Sequence, residues 1–402
     1  MKKKILITGG SGLLAVNWAI SIRDEYEVTL LLHQRRISLQ GVRAYVVSLN
    51  SMNECVAAVR KYQPDIVIHT AGLTSVEECE YNPNLAQEIS VDLAKNMAIA
   101  CDKRGVKLVH ISTDHLFSGN ESFVTERGDT TPINNYAKTK LEGEQQVQEN
   151  CKDVLIIRTN FFGWGAKYRQ SFSDFIINKL RNNESIDLFS DVSFTTILAE
   201  ELSKKTHQLV DANLSGVFNI VGSERLSKYE FGIKLANCFD LNTDLVNEIS
   251  IKDKPNLVKR PKDMSLSNKK ICKILNCTIP SIDEQFQTLK QQESDSAINQ
   301  VTTDIIPYGK HYIDEDDIQS VVDVLRHGML TQGPKIAEFE NKVADYVGAK
   351  YAVAVSNGTA ALHLACMALE LGEGDEVITS PNTFVATSNS VLYVGAKPVF
   401  VD

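Results

Sequence analysis

Tyr136 and Lys140 have the residue types and the spacing needed for acid–base chemistry. They are four residues apart, so on a helix they share a face. A neighbouring ammonium stabilises a phenolate and lowers the pKa of a tyrosine from its usual value of about 10. Lys140 would also hold the ribose of a nicotinamide cofactor, whose positive ring lowers the same pKa further. The pair therefore predicts a tyrosine that exchanges a proton with a substrate.

A glycine-rich turn at the start of the chain predicts the site for that cofactor. An apolar strand over residues 4–8 leads into Gly9 and Gly12, and Ala15 occupies the third small position. Gly9 allows a tight turn and Gly12 lets the backbone approach a pyrophosphate. The amides that open the next helix, at Leu13 and Leu14, would bind the phosphate charge. With the later Tyr136 and Lys140, this turn predicts a nicotinamide-dependent enzyme.

The end of the second predicted strand bears on the choice between the two nicotinamide dinucleotides. An NAD site usually has an acid there for the ribose 2′-hydroxyl, whereas this chain has Arg35 and Arg36. Arginines can pair with the 2′-phosphate of NADP. NADPH is therefore the expected cofactor, with NADH as the alternative, and two solvated loop arginines are the structural alternative.

A third catalytic residue is expected at the end of an earlier strand. Residues 109–115 supply Thr113, whose hydroxyl would bind the substrate carbonyl oxygen as negative charge develops on it. Ser112 is the second candidate. A capping or sheet-edge role for these hydroxyls is the structural alternative.

The elements that position these residues alternate between strands and helices. Apolar strands are predicted at 4–8, 28–32, 44–47, 66–70, 107–112 and 154–158, with amphipathic helices such as 53–62 and 85–104 between them. This alternation predicts an α/β fold, a Rossmann-type doubly wound parallel sheet. A smaller C-terminal substrate subdomain is expected mainly over 161–290.

Composition limits the partners and the compartment. Residues 1–300 carry 36 Lys and Arg against 37 Asp and Glu, whereas 301–402 carry 6 against 14, so the last quarter is expected to be a different module. The net charge of −9 argues against nucleic acid or an anionic membrane as a partner. No run approaches the roughly 18 apolar residues of a membrane span. The eight cysteines have no zinc-ligand spacing, so no metal site is expected, and reduced thiols fit a cytoplasmic protein.

Residues 1–292 resemble an extended short-chain dehydrogenase/reductase, and most closely the dTDP-4-dehydrorhamnose reductase branch. Six stretches carry the resemblance, namely 7–14, 69–80, 112–119, 132–144, 158–163 and 259–266. The resemblance implies NADPH-dependent reduction of the 4-keto group of a nucleotide-linked 6-deoxysugar for a surface polysaccharide. It also implies a homodimer.

The same resemblance assigns roles to individual residues. The catalytic residues are Thr113, Tyr136 and Lys140, and Ala71 and Gly72 join the cofactor site. The implied substrate contacts are Asp114, His115, Asn160 and Trp164, and Lys167, Tyr168 and Arg169 are further candidates. His115 stands where this branch usually has tyrosine.

Two other functions remain open for this fold. One is an epimerase or dehydratase acting on nucleotide sugars, although dehydratases usually carry an acidic pair beside the threonine and only Asp114 is present here. The other is a non-catalytic regulatory protein that binds NADP, like the regulatory subunit of methionine adenosyltransferase.

Residues 304–402 follow a predicted polar linker at 293–303 and resemble the first quarter of a sugar aminotransferase of the DegT/DnrJ/EryC1/StrS type. The matching stretches are 306–310, 330–334, 355–363 and 380–387, and the apolar segment 351–356 is predicted to form a strand. Gly358 and Thr359 would hold the phosphate of pyridoxal phosphate, and Phe384 would stack on its ring. The Schiff-base lysine of that family lies beyond Asp402, so the resemblance implies an incomplete α/β aminotransferase module. Pyridoxal phosphate is expected only if this module is completed.

Overall fold

The chain forms two compact units, Met1–Ile306 and Pro307–Asp402. The computed structural model describes residues 2–294, 301–302, 313–331 and 333–401. At the ends of the predicted linker, a helix continues through Ser294, while Val301 is buried in the first unit and Thr302 pairs with Ser38. The rest of that linker and the 306–310 stretch lie outside the described residues.

The first unit contains fourteen described strands. They are β1 (Lys4–Thr8), β2 (Glu27–Leu32), β3 (Arg43–Val46), β4 (Ile66–His69), β5 (Lys107–Ile111), β6 (Val154–Arg158), β7 (Phe161–Phe162), β8 (Ile186–Phe189), β9 (Ser193–Phe194), β10 (Ile197–Leu198), β11 (Gly216–Asn219), β12 (Leu226–Ser227), β13 (Val246–Ile249) and β14 (Asp263–Met264).

Eleven described α-helices belong to the same unit. They are α1 (Leu13–Ile22), α2 (Met52–Tyr62), α3 (Val76–Tyr81), α4 (Pro83–Gln87), α5 (Leu93–Asp102), α6 (Asn135–Asn150), α7 (Phe172–Arg181), α8 (Ala199–Asp211), α9 (Lys228–Cys238), α10 (Lys269–Leu275) and α11 (Ile282–Ser294). A π-helical turn at Glu88–Asp92 joins α4 to α5, and short 3-10 turns lie at Thr243–Leu245 and Ile251–Asp253.

A seven-stranded sheet in the order β11-β6-β5-β4-β1-β2-β3 forms the centre of the unit, and every pairing in it is parallel. The chain reverses its direction of travel across the sheet between β1 and β4. Ligands of such sheets bind outside the carboxyl ends of the strands at this point. The predicted Rossmann-type fold is therefore confirmed, with the six predicted strands in place and β11 as an addition.

Apolar side chains cover both faces of the sheet, because successive residues of a strand point to opposite sides. Ile5 and Ile7 of β1 pack into one cluster and Leu6 packs into the other. Trp18 of α1 is fully buried, and its indole N–H donates to the Nε2 atom of His207 at 3.1 Å. Burial on both faces explains why the strands are continuously apolar.

The segments after β6, mainly over 161–290, form a group of small sheets and helices, called the smaller subdomain, within the first unit. Two small sheets, β12-β9-β14 and β13-β8, pack with α7, α9 and α11 around Phe231 and Phe286. Both of these phenylalanines are fully buried. This aromatic core fixes the loops that face the cleft.

The second unit contains α12 (Glu315–His327), α13 (Pro334–Val347), α14 (Gly358–Ala368), β15 (Glu376–Thr379), α15 (Ala386–Tyr393) and β16 (Lys397–Phe400). β15 and β16 are parallel neighbours joined through α15. The strand predicted at 351–356 does not form, since no other described strand pairs with this segment. None of the helices in the described parts of the chain is long and apolar enough to cross a membrane.

Candidate active site

The glycine-rich turn lies directly against the loop that follows β4. Gly9 has a φ of +66°, and a Cβ atom there would lie 2.9 Å from the Cα atom of Ala71. The Gly12 amide donates to the Gly9 carbonyl at 2.7 Å, and a Cβ on Gly12 would lie 2.9 Å from that oxygen. No side chain caps the start of α1, so its first amides, including that of Leu13, are available to a phosphate.

Arg35 lies beside this turn but is engaged by a neighbouring aromatic ring. Its guanidinium carbon is 4.5 Å from the centre of the Tyr168 ring, and it donates to the Tyr168 carbonyl at 3.2 Å. The Tyr168 hydroxyl donates in turn to the Ser11 carbonyl at 3.1 Å. Arg35 and Arg36 are both exposed, and His33, two residues before Arg35, lines the cleft whereas neither arginine does.

Helix α6 carries both Tyr136 and Lys140, and its first turn is fixed by Asn134. The Asn134 side chain accepts from the Ala137 amide at 2.8 Å and donates to the Lys259 carbonyl at 2.9 Å. The helix therefore begins at a defined residue. One turn then separates the phenol from the ammonium.

Lys140 is a buried cation. Its Nζ atom donates to the carbonyl of Ile111, the last residue of β5, at 2.7 Å. Burial lowers the pKa of Lys140 from 10.5 to about 8, and Glu144 acts in the opposite direction. A Cβ on Gly72 would lie 3.8 Å from the same nitrogen. The ammonium therefore lies beside the loop that adjoins the glycine-rich turn.

Tyr136 is protonated at neutral pH in this environment. Burial raises the pKa of its phenol, and a hydrogen bond with Thr113 opposes this effect. The His115 ring meets the phenol ring edge-on, with 5.3 Å between centres and 87° between planes. The phenol is therefore a proton donor held in one orientation by its neighbours.

Thr113, Asp114 and Asn160 form a hydrogen-bonded chain at the ends of β5 and β6. The Thr113 hydroxyl donates to Asp114 Oδ1 at 3.2 Å and accepts from the His115 amide at 3.3 Å. The Asn160 amide donates to Asp114 Oδ2 at 2.8 Å. The Ser112 hydroxyl is also buried, and no partner for it exists among the described residues.

A cavity of about 670 Å³ joins these groups. Twelve of the residues predicted for the reductase site line it, namely Gly9, Gly12, Leu13, Leu14, Ala71, Gly72, Thr113, Asp114, His115, Tyr136, Lys140 and Asn160. Ser112, the second candidate, lines it too. The structure therefore brings the predicted cofactor turn and the predicted catalytic residues to one enclosed space.

Trp164 lies outside this cavity, which corrects its prediction as a substrate contact. Its indole is buried and donates to the Leu289 carbonyl at 2.7 Å, and the ring packs edge-on against Phe239. The indole thus satisfies its N–H group within the protein core. Arg169 and Phe172, a few residues later, line the cavity instead.

Two residues near the site, Ser90 and Lys228, were not predicted from the sequence. Ser90 lies in the π-helical turn and accepts from the Leu73 amide at 3.3 Å, which ties this turn to the loop after β4. The stretch around it reads as one continuous helix, so no signal marks it. Lys228 opens α9 near His115, and the pattern Ser227-x-x-Glu230 could have located that helix start.

The predicted phosphate turn of the second unit is open. Asn357 caps α14 by accepting from the Ala360 amide at 2.9 Å. A Cβ on Gly358 would meet nothing within 4 Å, Thr359 is half-buried, and Phe384 is 72% exposed. These residues do not enclose a pyridoxal phosphate among the described parts of this unit.

Family models divide the chain near the boundary between its two compact units. The family model described as the RmlD substrate binding domain matches residues 2–294. The model of the DegT/DnrJ/EryC1/StrS aminotransferase family matches residues 311–402.

Curated relatives of the first unit include a probable reductase and a methionine adenosyltransferase subunit. A probable low-salt glycan biosynthesis reductase, Agl14 of Haloferax volcanii, is 26% identical over 294 residues, which are 72% of this chain and 98% of that protein. The methionine adenosyltransferase 2 subunit beta of Pongo abelii is 26% identical over 67% of this chain and 81% of its own length.

The second unit has a relative among proteins of polysaccharide biosynthesis. The spore coat polysaccharide biosynthesis protein SpsC of Bacillus subtilis is 50% identical over 97 residues, which are 24% of this chain. The chain spans about a quarter of the length of that relative, 25%.

Solved structures support the fold of the first unit. The dTDP-4-dehydrorhamnose reductase of Bacillus anthracis in complex with NADP superimposes with a TM-score of 0.65 at 24% identity, covering 73% of this chain and 100% of its own. A hypothetical dTDP-4-dehydrorhamnose reductase of Sulfolobus tokodaii has a TM-score of 0.61 at 28% identity, covering 69% and 96%.

Proposed function

The chain belongs to the family of the RmlD substrate binding domain, and we propose that its first unit reduces the 4-keto group of a nucleotide-linked 6-deoxysugar with NADPH. The relatives support, in general terms, an oxidoreductase acting on sugar nucleotides. Our proposal adds three points to this: the position of the keto group, the sugar that carries it and the preference for NADPH.

One observation carries this proposal: Tyr136, Lys140 and Thr113 line the same cavity as the glycine-rich turn. A proton donor, a buried cation and a hydroxyl donor therefore converge where the turn can place a dinucleotide. Reduction of a carbonyl requires this combination, because negative charge develops on the oxygen while it accepts a proton.

The residues present fit a nicotinamide dinucleotide. The backbone at Gly9 and Gly12 leaves room that a Cβ atom would fill, and the uncapped amides of α1 attract a pyrophosphate. Lys140 would hold the ribose next to the nicotinamide. When bound, this cofactor supplies the hydride to the carbonyl carbon.

The chain's own residues manage the proton. The Tyr136 phenol donates its proton to the substrate oxygen, and the Thr113 hydroxyl would hydrogen-bond the same oxygen if it turned from Asp114. The Lys140 ammonium stabilises the phenolate that remains. The Ile111 carbonyl fixes that ammonium on the β5 side of the cleft.

The preference for NADPH rests on Arg35 and Arg36. No acid follows β2 in the position that an NAD ribose usually requires, and both arginines are exposed shortly after His33, which lines the cavity. Either can pair with a 2′-phosphate.

A second candidate is a regulatory protein that binds NADP without turnover. Its support is the 26% identity to a methionine adenosyltransferase 2 subunit beta over 81% of that subunit's length. The complete set of Tyr136, Lys140 and Thr113 in one cavity favours the reductase.

The test follows NADPH absorbance with dTDP-4-dehydrorhamnose and related 4-keto nucleotide sugars. We expect Tyr136→Phe to lower kcat by about 10²- to 10⁴-fold, the usual contribution of a general acid, with NADPH binding retained. Tyr81→Phe removes the same hydroxyl at a site 76% exposed and should leave kcat unchanged. Tight NADPH binding by the wild type with no oxidation by any of these sugars would instead support the regulatory function.

A further inference from the structure

Lys228 is a cation near the catalytic residues without a hydrogen-bonded counter-ion. It is the first residue of α9, whose start is fixed by Ser227, which accepts from the Glu230 amide at 3.0 Å. The ammonium lies 3.5 Å from the centre of the Phe194 ring and 4.9 Å from that of Phe172. Within the described residues, no oxygen atom forms a hydrogen bond or salt bridge with it.

Lys228 lies near the catalytic residues, although it is not itself one of the residues that line the cavity. Asp114 attracts the ammonium and Arg260 repels it, and Lys228 in turn lowers the pKa of His115. The His115 ring contacts Tyr136 edge-on. Phe172, beside the ammonium, lines the catalytic cavity. The charge therefore lies beside an aromatic residue of the cavity wall.

This arrangement is unfavourable for the protein alone. A cation at the N-terminus of a helix is repelled by the helix dipole. Burial and Arg260 lower the pKa of Lys228 to about 8, against the opposing attraction of Asp114. Both oxygens of Asp114 already accept hydrogen bonds, from Thr113 and Asn160.

Nearby cations differ from Lys228 because each has an acidic partner. Arg260 pairs with Glu77, Arg225 with Asp263 at 2.7 Å, and Lys262 with Asp191 at 2.7 Å. Arg225 and Lys262 thereby join segments of the subdomain, and Arg260 joins the subdomain to α3. The ammonium of Lys228 makes no such bond among the described residues.

We propose that Lys228 is a substrate-binding residue that binds an anionic oxygen group of the sugar nucleotide, either its diphosphate or a carboxylate on its sugar. This inference rests on the proposed function. The ammonium, to which no carboxylate of the described residues is bonded, would attract such an anion. The aromatic rings keep water from part of the ammonium, which strengthens a charge-assisted hydrogen bond.

The first experiment measures binding of dTDP and UDP to the full chain by calorimetry, without turnover. Lys228→Met keeps the length of the side chain beside the rings but removes its charge. We expect about ten- to hundredfold weaker binding of both diphosphates, an effect typical of a lost charged hydrogen bond. Lys228→Arg should retain most of the affinity, and NADPH binding should not change in either variant.

A matched control removes a lysine charge elsewhere on the same unit. Lys254→Met deletes an ammonium that pairs with Asp187 at 3.2 Å, and it should leave diphosphate binding unchanged. Thermal unfolding is the second control. If Lys228 merely supported the fold, its replacement would lower Tm, whereas an anion-binding role predicts an equal or higher Tm without ligand.

A second pair of ligands distinguishes the two sources of the anion. UDP-glucuronate and UDP-glucose differ only at C6 of the sugar, where the first has a carboxylate and the second a hydroxymethyl group. If Lys228→Met leaves diphosphate binding intact but removes a wild-type preference for UDP-glucuronate, the carboxylate is the bound group. If Lys228→Met binds both UDP and dTDP more weakly than the wild type, the diphosphate is the bound group.

Two negative results have separate meanings. Equal binding of all four ligands by the wild type and Lys228→Met would overturn the role of Lys228 and leave the reductase proposal standing. A wild-type protein that binds NADPH but none of these nucleotides at millimolar concentration would overturn the sugar-nucleotide function and, with it, this inference.

Discussion

The two units each present a glycine at the start of a helix, but only one of these turns belongs to an enclosed site. Gly9 packs against Ala71, and the cavity beside it is also lined by Tyr136 and Lys140. Gly358 has open space around the position of a Cβ atom. A local pattern therefore specifies the turn, while segments distant in sequence determine whether the turn becomes a binding site.

The largest difference between the two turns is expected when the glycine of each, Gly9 and Gly358, is replaced by alanine. Gly9→Ala would force alanine into a left-handed conformation, which costs about 1–2 kcal/mol, and would push its methyl group into the Ala71 backbone. We expect NADPH binding to fall more than about 100-fold, measured by fluorescence titration, with a lower Tm. Gly358→Ala, the control, should change neither. Equal effects of the two substitutions would contradict the contrast between the turns.

A second prediction concerns the charge of Lys140. Because its pKa is lowered to about 8, the ammonium that stabilises the Tyr136 phenolate is lost as pH rises above that value. The kcat/KM for reduction should therefore be level below pH 8 and fall above it. Lys140→Arg should abolish this alkaline limb, and Lys140→Met should lower activity about 100-fold at every pH. A limb that persists in Lys140→Arg would point to another group.

The lowered pKa of Lys140 also affects the free energy of unfolding, and here the charged side chain is unfavourable, whereas it supports activity. The unfolded chain binds the Lys140 proton more tightly than the folded protein between about pH 8 and its ordinary pKa of 10.5. The folded state therefore bears a penalty below pH 8, and the penalty disappears as pH rises through 10.5. Lys140→Met should raise the free energy of unfolding at pH 7, in contrast to its effect on activity.

The smallest effect on cofactor binding is expected from the two exposed arginines that follow β2. Arg35→Ala should raise the Kd of NADPH about fivefold and leave that of NADH unchanged, since an exposed ion pair contributes up to about 1 kcal/mol. Arg36→Ala tests the second predicted contact, and Arg104→Ala, at another exposed position, is the control. Parallel changes for both cofactors would show that Arg35 supports Tyr168 and not the 2′-phosphate.

Much of the first unit could be predicted because its strands are buried on both faces. The continuous apolar runs located six strands of the sheet, and β1 and β6 have the predicted bounds. The ends of parallel strands meet at one edge, so Gly9 after β1 and Thr113 after β5 necessarily lie near one another. Helical spacing then placed Tyr136 and Lys140 on one face of α6.

The remaining features depend on contacts that leave no local pattern. The π-helical turn at Ser90 interrupts a stretch that reads as one helix. Trp164 carries a polar N–H group suited to a ligand, but the carbonyl of Leu289, 125 residues away, satisfies it. The predicted strand at 351–356 is apolar, yet no described strand pairs with it.

The bond from the Tyr168 hydroxyl to the Ser11 carbonyl links the segment after β7 to the glycine-rich turn, and Arg35 stacks on the same ring. The bond joins segments that are 157 residues apart in sequence. The position of the turn's backbone therefore depends on a segment that the glycine-rich pattern does not contain, and a change in either segment is expected to shift the other.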